Sequence, residues 1–219
     1  MTFEKIVIFD FEDSFTYNLY HLINSTIVQK LAGAKSIELH HWTNFPQFIE
    51  HNTVSSTLVV FGPGPGHPLE YKSLFLPLSK YLHMCLSSNY YFFGVCLGHQ
   101  ILWSSLGMNV KQLDRPNHGH SHKIVLPNWD IFDHSSQRIV EVQRYNSLTV
   151  EISWPCIDGI DLWYDNLDLQ ASYNPGLWLS YQFHPESVGT SCPELLIGAL
   201  TKMRYNNAYG VSNRRSLRL

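Results

Sequence analysis

The stretch that decides the fold reads Tyr90-Tyr91-Phe92-Phe93-Gly94-Val95-Cys96-Leu97-Gly98-His99-Gln100. Its first half is an apolar, aromatic run of the strand type, and a helical pattern begins near Leu97. Cys96 lies between them in the arrangement Gly-x-Cys-x-Gly, which has the form of a nucleophile elbow with cysteine in place of serine. Such a sharp turn strains its middle residue and favours glycine at the flanking positions, where side chains would collide. We therefore predict an exposed thiol at the amino end of a helix, where the dipole and free N–H groups favour a thiolate.

Strand and helix patterns alternate through the first half of the chain. Strands are predicted at 6–9, 36–40, 57–61 and around Phe92, and helices from about Phe15 to Ile23, at 45–51 and at 74–86. This alternation predicts a doubly wound, mostly parallel α/β sheet of the flavodoxin-like kind, with helices on both faces. The working surface of such a sheet lies at the carboxyl ends of its strands. Cys96 and the Gly62-Pro63-Gly64-Pro65-Gly66 loop both fall on that edge.

The second half of the chain has a different pattern. Short β-type runs occur at 123–126, 138–142, 170–173 and 177–183, and Asn174-Pro175-Gly176 is a turn signal that joins the last two. These runs predict a smaller antiparallel or mixed sheet, followed by a closing helix at 195–203. We expect one domain over 1–205 and a mobile tail over 206–219, which carries three arginines and little to bury.

Composition restricts the class of protein. The chain has 219 residues, of which 44% are hydrophobic and 15% charged, with a net charge of -3. No basic stripe suggests nucleic acid as a partner, and no apolar run approaches membrane-spanning length. The amino terminus lacks the pattern of a signal peptide, and the four cysteines show no zinc-type or disulfide-type spacing. We therefore expect a cytoplasmic protein with reduced thiols.

Two further segments complete a candidate catalytic site. Phe183-His184-Pro185-Glu186-Ser187 follows a predicted strand, and His184 and Glu186 are two residues apart, so an extended backbone points them to the same side. A carboxylate beside an imidazole holds its tautomer and stabilises its cation. The glycine-proline loop has few side chains to keep backbone N–H groups from a developing oxyanion. The three segments together are a strong signal for nucleophilic catalysis.

Five segments of the chain resemble the class I glutamine amidotransferases, namely residues 94–100, 183–187, 63–66, 13–18 and 144–148. The first three match the nucleophile, His/Glu and oxyanion-loop motifs of that family, and residues 144–148 resemble its glutamine-binding segment. Asp13-Ser14-Phe15-Thr16-Tyr17-Asn18 resembles the chorismate-linked subgroup, the amidotransferase component of anthranilate synthase and of aminodeoxychorismate synthase. The resemblance covers roughly residues 3–200.

The resemblance implies a mechanism and a set of site residues. Cys96 would attack the side-chain amide of L-glutamine, His184 would act as base and then acid, and Glu186 would orient His184. The implied glutamine-binding and oxyanion residues are Gly64, Pro65, Gly66, Leu97, Gln100, Ser147 and Leu148. No cofactor is implied. The expected protein partner is a chorismate-binding synthase on a separate polypeptide, which would use the ammonia to form anthranilate or 4-amino-4-deoxychorismate.

The chain departs from the family pattern at two positions near the predicted pocket. His120 replaces the usual lysine of a His-Gly-Lys-x-Ser segment, and Asn146 replaces the usual histidine of Arg-Tyr-His-Ser-Leu. His118, His120 and His122 alternate in a way that can bind zinc, but no carboxylate or cysteine completes the set, so we expect no metal site.

Two other functions compete with ammonia supply. A cysteine hydrolase or peptidase on a similar elbow is disfavoured by residues 13–18 and by Gln100. A non-catalytic regulatory or binding module is disfavoured by the presence of Cys96, His184 and Glu186 together.

Overall fold

The computed structural model describes residues 3–31, 34–54, 56–83, 90–117, 119–132, 139–152, 159–166 and 168–209. Two of the four cysteines and one of the three alternating histidines lie outside these ranges, namely Cys85, Cys156 and His118. So do residues 210–219 of the predicted tail.

The described residues form eleven strands and five α-helices. The strands are β1 (Lys5–Asp10), β2 (Ser36–His41), β3 (Thr57–Phe61), β4 (Tyr90–Val95), β5 (Asn109–Gln112), β6 (His120–Val125), β7 (Ile139–Arg144), β8 (Leu148–Glu151), β9 (Asp161–Asp165), β10 (Asp168–Asn174) and β11 (Trp178–Tyr181). The helices are α1 (Thr16–Ile23), α2 (Phe45–His51), α3 (Phe75–His83), α4 (Leu97–Ser105) and α5 (Pro193–Tyr209). A π-helical segment, Asn24–Lys30, continues α1, and 3-10 turns at Trp42–Asn44 and Pro68–Leu74 precede α2 and α3.

Seven strands form the central sheet in the order β2-β1-β3-β4-β11-β10-β9. The first five strands in this order are parallel to one another, whereas β10 pairs antiparallel with both β11 and β9. Two separate antiparallel pairs, β5-β8 and β6-β7, complete the sheets. The predicted doubly wound, mostly parallel fold with additional antiparallel sheet is confirmed.

The sheet is buried on both faces because its strands are apolar at successive positions. In β1, Ile6 and Ile8 pack into a core that also contains Leu19 of α1. The alternate residues Val7 and Phe9 pack into a second core on the opposite face. Residues of α1 and α5 contribute to the first core and residues of α2, α3 and α4 to the second, so the helices cover both faces.

The structure differs from the predictions mainly in the second half of the chain. β9, β10 and β11 extend the main sheet instead of forming a separate one, because β11 lies parallel to β4 and is buried. Three short strands, β5, β8 and β9, were not predicted. α2 and β3 have the predicted bounds, whereas α5 begins earlier than predicted and continues to Tyr209.

Among the residues that the structure describes, no helix is long and apolar enough to cross a membrane.

Candidate active site

Cys96 lies at the turn between β4 and α4, as predicted. Its backbone has φ 52° and ψ -103°, in the left-handed half of conformational space that a residue with a side chain rarely adopts. Two backbone hydrogen bonds hold the turn: Cys96 N–H donates to the Tyr181 carbonyl at 2.8 Å, and Gly98 N–H donates to the Gly62 carbonyl at 3.2 Å. The strained conformation is therefore anchored to the ends of two neighbouring strands.

The two glycines beside Cys96 are required by close backbone approach. A Cβ on Gly94 would lie 2.8 Å from the carbonyl carbon and oxygen of Gly98. A Cβ on Gly98 would lie 2.7 Å from the carbonyl carbon of Phe61 and closer still to its oxygen. Both contacts are with backbone, which cannot rotate away as a side chain can. The steric reason inferred from the sequence is therefore confirmed.

His184 and Glu186 follow β11, which lies parallel to β4, the strand that ends just before Cys96. The backbone N–H of His184 donates to the Gln143 carbonyl of β7 at 2.9 Å, and this bond fixes the backbone at His184. The His184 Nδ1–H donates to Glu186 Oε1 at 2.7 Å, and both side chains are buried. The predicted pairing of these two residues is present in the structure.

The charges around His184 favour its protonated form. Burial alone would lower the pKa of the imidazole, but the negative charges of Cys96 and Glu186 outweigh it and raise the pKa well above the ordinary value. The His184 Nε2 has no hydrogen-bond partner among the described residues. The charge of Cys96 nevertheless contributes to the raised pKa of the His184 ring. The arrangement can therefore hold an imidazolium between a carboxylate and a thiolate.

Two aromatic side chains pack on the His184 ring. The Tyr145 ring meets it edge-on, with centroids 5.0 Å apart, and the Phe15 ring lies 5.4 Å away. The Tyr145 hydroxyl is 3.1 Å from the Ser187 Oγ, which holds this ring in place. Neither aromatic residue was predicted to belong to the site. Both occur in segments singled out by the family resemblance, which was the available signal.

The glycine-proline loop lies directly against the start of α4. A Cβ on Gly64 would lie 2.6 Å from the Phe11 Cβ and closer still to the Leu97 side chain. Gly66 has φ +76°, which favours glycine, and the Pro65 carbonyl accepts a hydrogen bond from the Tyr71 hydroxyl at 3.1 Å. The structure therefore places Gly64 against Leu97, and Pro65 and Gly66 follow it in the same loop.

The remaining predicted binding residues are Gln100, Ser147 and Leu148. Gln100, nearly buried on α4, donates from Nε2 to the Leu148 carbonyl at 3.2 Å and to Gln182 Oε1 at 3.0 Å. The Ser147 carbonyl accepts from the Leu113 N–H at 2.9 Å. Gln182 was not predicted from the sequence, although it is two residues before His184.

The two departures from the family pattern lie in different surroundings. Asn146 is buried and donates from Nδ2 to the Leu148 carbonyl at 3.0 Å. His120 is exposed at the start of β6 and pairs in register with Arg144 of β7. His122 Nε2 is 3.0 Å from Asn117 Oδ1. The part of the chain that the structure describes contains no group of three or more His, Cys, Asp or Glu residues suited to a metal ion.

A cavity of about 290 Å³ lies elsewhere, between the π-helical segment and α5. Lys30, Glu194 and Lys202 contribute its charged lining, and it shares no lining residue with the site around Cys96. The chemistry-bearing residues, and not this cavity, therefore mark the candidate site.

Comparisons with known proteins agree with this geometry. The family model for class-I glutamine amidotransferases matches residues 7–201. A Schizosaccharomyces pombe protein assigned as an aminodeoxychorismate synthase is 30% identical over an alignment of 194 residues that covers 85% of this chain but only 24% of that protein. An anthranilate synthase component 2 from Porphyra purpurea is 26% identical over 198 residues, covering 88% of this chain and 96% of that one.

A solved structure shows the same fold. A Thermoplasma acidophilum protein described as part of a GMP synthase superposes with a TM-score of 0.72 at 16% identity, covering 95% of this chain and 98% of that one.

The chain belongs to the class-I glutamine amidotransferase family. It is similar to the amidotransferase component of the anthranilate and aminodeoxychorismate synthases, and it spans about a quarter of the Schizosaccharomyces pombe relative's length. Family membership supports an enzymatic role.

Proposed function

We propose that this chain hydrolyses L-glutamine through Cys96, His184 and Glu186 and passes the ammonia to a synthase that aminates chorismate. The observation that carries the proposal is the position of His184, which donates to Glu186 at 2.7 Å and whose pKa is raised by the charges of Cys96 and Glu186. A nucleophile, a base and an orienting carboxylate in this order are what acyl transfer from an amide requires.

The first step is attack of the Cys96 sulfur on the side-chain amide carbon of glutamine. His184 holds the thiol proton and delivers it to the departing ammonia, so an imidazolium stabilised by Glu186 suits its role as acid. Water then hydrolyses the γ-glutamyl thioester, with His184 as base, and glutamate is released. The thiol and imidazole return to their starting states.

Backbone groups around the elbow are suited to the oxyanion. The Leu97 N–H begins α4, and the Gly64 region packs against the Leu97 side chain. Donors at the amino end of a helix stabilise the negative charge that develops on the amide oxygen. We propose that Gly64, Pro65, Gly66, Gln100, Ser147 and Leu148 bind the substrate from the surrounding segments.

A synthase partner is supported by the chemistry of ammonia and by the relatives. Ammonia in neutral water is mostly ammonium, which is not nucleophilic, so a direct path to the acceptor protects the reactive form. The relatives carry the names of anthranilate synthase and aminodeoxychorismate synthase, and both names fit the same amidotransferase step. We therefore propose chorismate as the acceptor substrate on the partner.

The test is to measure glutamate release by the purified chain, alone and with each of the two chorismate-using synthases. Anthranilate and aminodeoxychorismate are scored separately. Cys96→Ser should abolish glutamine-dependent product and retain product formed from added ammonia. Cys192→Ser is the matched control, because Cys192 is a half-buried cysteine outside the site.

The outcomes separate the parts of the proposal. Equal glutamate release by the wild type and Cys96→Ser would exclude Cys96 as the nucleophile. Glutamate release without either aminated product would support the glutaminase step and exclude these two synthases as partners.

A further inference from the structure

A chain of hydrogen bonds connects the Leu148 carbonyl, Gln100 and Gln182 to the Cys96 sulfur. The side chain of Gln182 is fully buried, and its Nε2 donates to the Cys96 Sγ at 3.7 Å. Gln182 is held by the end of the sheet, because its backbone N–H donates to the Gln170 carbonyl of β10 at 2.8 Å. A neutral amide donor therefore faces the atom that is proposed to attack the substrate.

The orientation of the Gln182 amide is determined by its neighbours. The Leu148 carbonyl oxygen can only accept, so Gln100 must turn its NH₂ group towards it, at 3.2 Å. The same NH₂ group meets Gln182 at 3.0 Å, so Gln182 must present its oxygen there. Only the NH₂ group of Gln182 remains to face Cys96.

A buried ion pair fixes the orientation of Asn146, which contacts the same Leu148 carbonyl. Arg144 Nε, which can only donate, lies 3.3 Å from Asn146 Oδ1, so Asn146 presents Nδ2 to the Leu148 carbonyl at 3.0 Å. The buried Arg144 guanidinium is paired with Asp168 and lies 3.7 Å from Asp165. Asn146 is thus held between a fixed cation and the carbonyl that Gln100 also contacts.

We propose that Gln182 is a catalytic residue that stabilises the Cys96 thiolate by hydrogen-bond donation, and that Gln100 is a positioning residue that acts through it. This inference rests on the proposed function only in taking Cys96 as the nucleophile. An amide suits the task because it donates at every working pH and carries no proton that it could lose to the thiolate.

This arrangement also defines the part that Gln100 can play. An amide NH₂ group has two hydrogens, and both are engaged here, by Leu148 and Gln182. Gln100 can therefore contact glutamine only through its oxygen, or after releasing one of these bonds. Its principal effect on the sulfur passes through Gln182.

The test is the pH dependence of Cys96 alkylation by iodoacetamide, followed by mass spectrometry of the peptide that contains Cys96. It needs neither glutamine nor a synthase. Gln182→Met keeps the side-chain length and removes the donor. A hydrogen bond to a charged group is commonly worth about tenfold in an ionisation equilibrium, so the midpoint should rise by about one pH unit.

Gln170→Met is the matched control. Gln170 is a buried glutamine on the adjacent strand, and neither its Nε2 nor its Oε1 has a hydrogen-bond partner in the part of the chain described. Its alkylation profile should match the wild type. Gln100→Met is the second variant, in which Gln182 remains but loses its anchor, and it should shift the midpoint in the same direction by a smaller amount.

The outcomes distinguish this inference from the proposed function. Profiles of Gln182→Met and Gln100→Met that coincide with the wild type would overturn it. If Gln182→Met fails to fold by circular dichroism, the Gln100→Met profile alone decides. A shifted midpoint in a chain that releases no glutamate, either alone or with each synthase, would support the role of Gln182 and reject the glutaminase reaction.

Discussion

Gly98→Ala should disrupt the elbow by steric pressure on the neighbouring strand. The new Cβ would lie 2.7 Å from the Phe61 carbonyl carbon, whereas ordinary contact begins near 3.4 Å. The start of α4 must therefore move away from β3 by more than about 0.7 Å, because the Phe61 carbonyl oxygen lies closer still than the carbonyl carbon. The Gly98 N–H to Gly62 carbonyl bond, now 3.2 Å, would lengthen beyond good geometry.

The expected cost combines these two effects. Overpacking costs about 1–3 kcal/mol, and a lost backbone hydrogen bond about 1 kcal/mol. We expect the free energy of unfolding to fall by about 3 kcal/mol, which lowers the Tm by roughly 6–12 °C for a domain of this size. Urea and thermal denaturation followed by circular dichroism measure both quantities. Because Cys96 adjoins the displaced helix, its alkylation rate should change as well.

Gly198→Ala provides a control of opposite sign. Gly198 lies in α5, and a Cβ there would meet nothing within 4 Å. Replacing a helical glycine by alanine then stabilises by roughly 0.5–1 kcal/mol, without a steric penalty. The reasoning is refuted if Gly98→Ala is as stable as the wild type, or if the two variants change stability equally.

Two further predictions concern the buried histidines. In Glu186→Gln the pKa of His184, measured by NMR titration, should fall, because one of the two negative charges that hold it up is removed; an unchanged value would show that the carboxylate is not responsible. His99, fully buried on α4 with Nδ1 2.8 Å from Ser180 Oγ, has its pKa lowered from 6.5 to about 3 by burial. Below pH 6.5 the unfolded chain therefore binds a proton at this residue that the folded chain does not bind. As the pH is lowered from 6.5, the free energy of unfolding falls by on the order of 1.4 kcal/mol per pH unit. His99→Gln should lose that dependence, about 2 kcal/mol between pH 6.5 and 5, in denaturation at several pH values; equal pH dependence in both proteins would contradict it.

The structure gives a physical reading of the Asn146 departure. Asn146 accepts from Arg144 and donates to the Leu148 carbonyl. A neutral histidine, which the family usually has here, also offers one acceptor and one donor. The replacement therefore keeps an acceptor for Arg144 and a donor for the Leu148 carbonyl, which Gln100 also contacts.

Local patterns in the sequence determined the elements and the elbow. The bounds of α2 and β3, the alternation that makes a doubly wound sheet, and the glycines beside Cys96 all depend on interactions between near neighbours in the chain. The pairing of His184 with Glu186 belongs to the same class, because the two residues are separated by only one position. Periodicity, glycine sterics and side-chain direction suffice for such features.

The tertiary structure alone decided which distant groups meet. β11 lies beside β4, with Tyr181 opposite Val95, and this register brings Gln182 to Cys96, 86 positions away in the chain. The packing of Phe15 and Tyr145 on His184 likewise joins three separate segments. Such contacts depend on strand order and register, which are set by the burial of whole elements against one another. No local pattern encodes these contacts, so the packing of Gln182 on Cys96 and of the two aromatic rings on His184 was visible only in the folded chain.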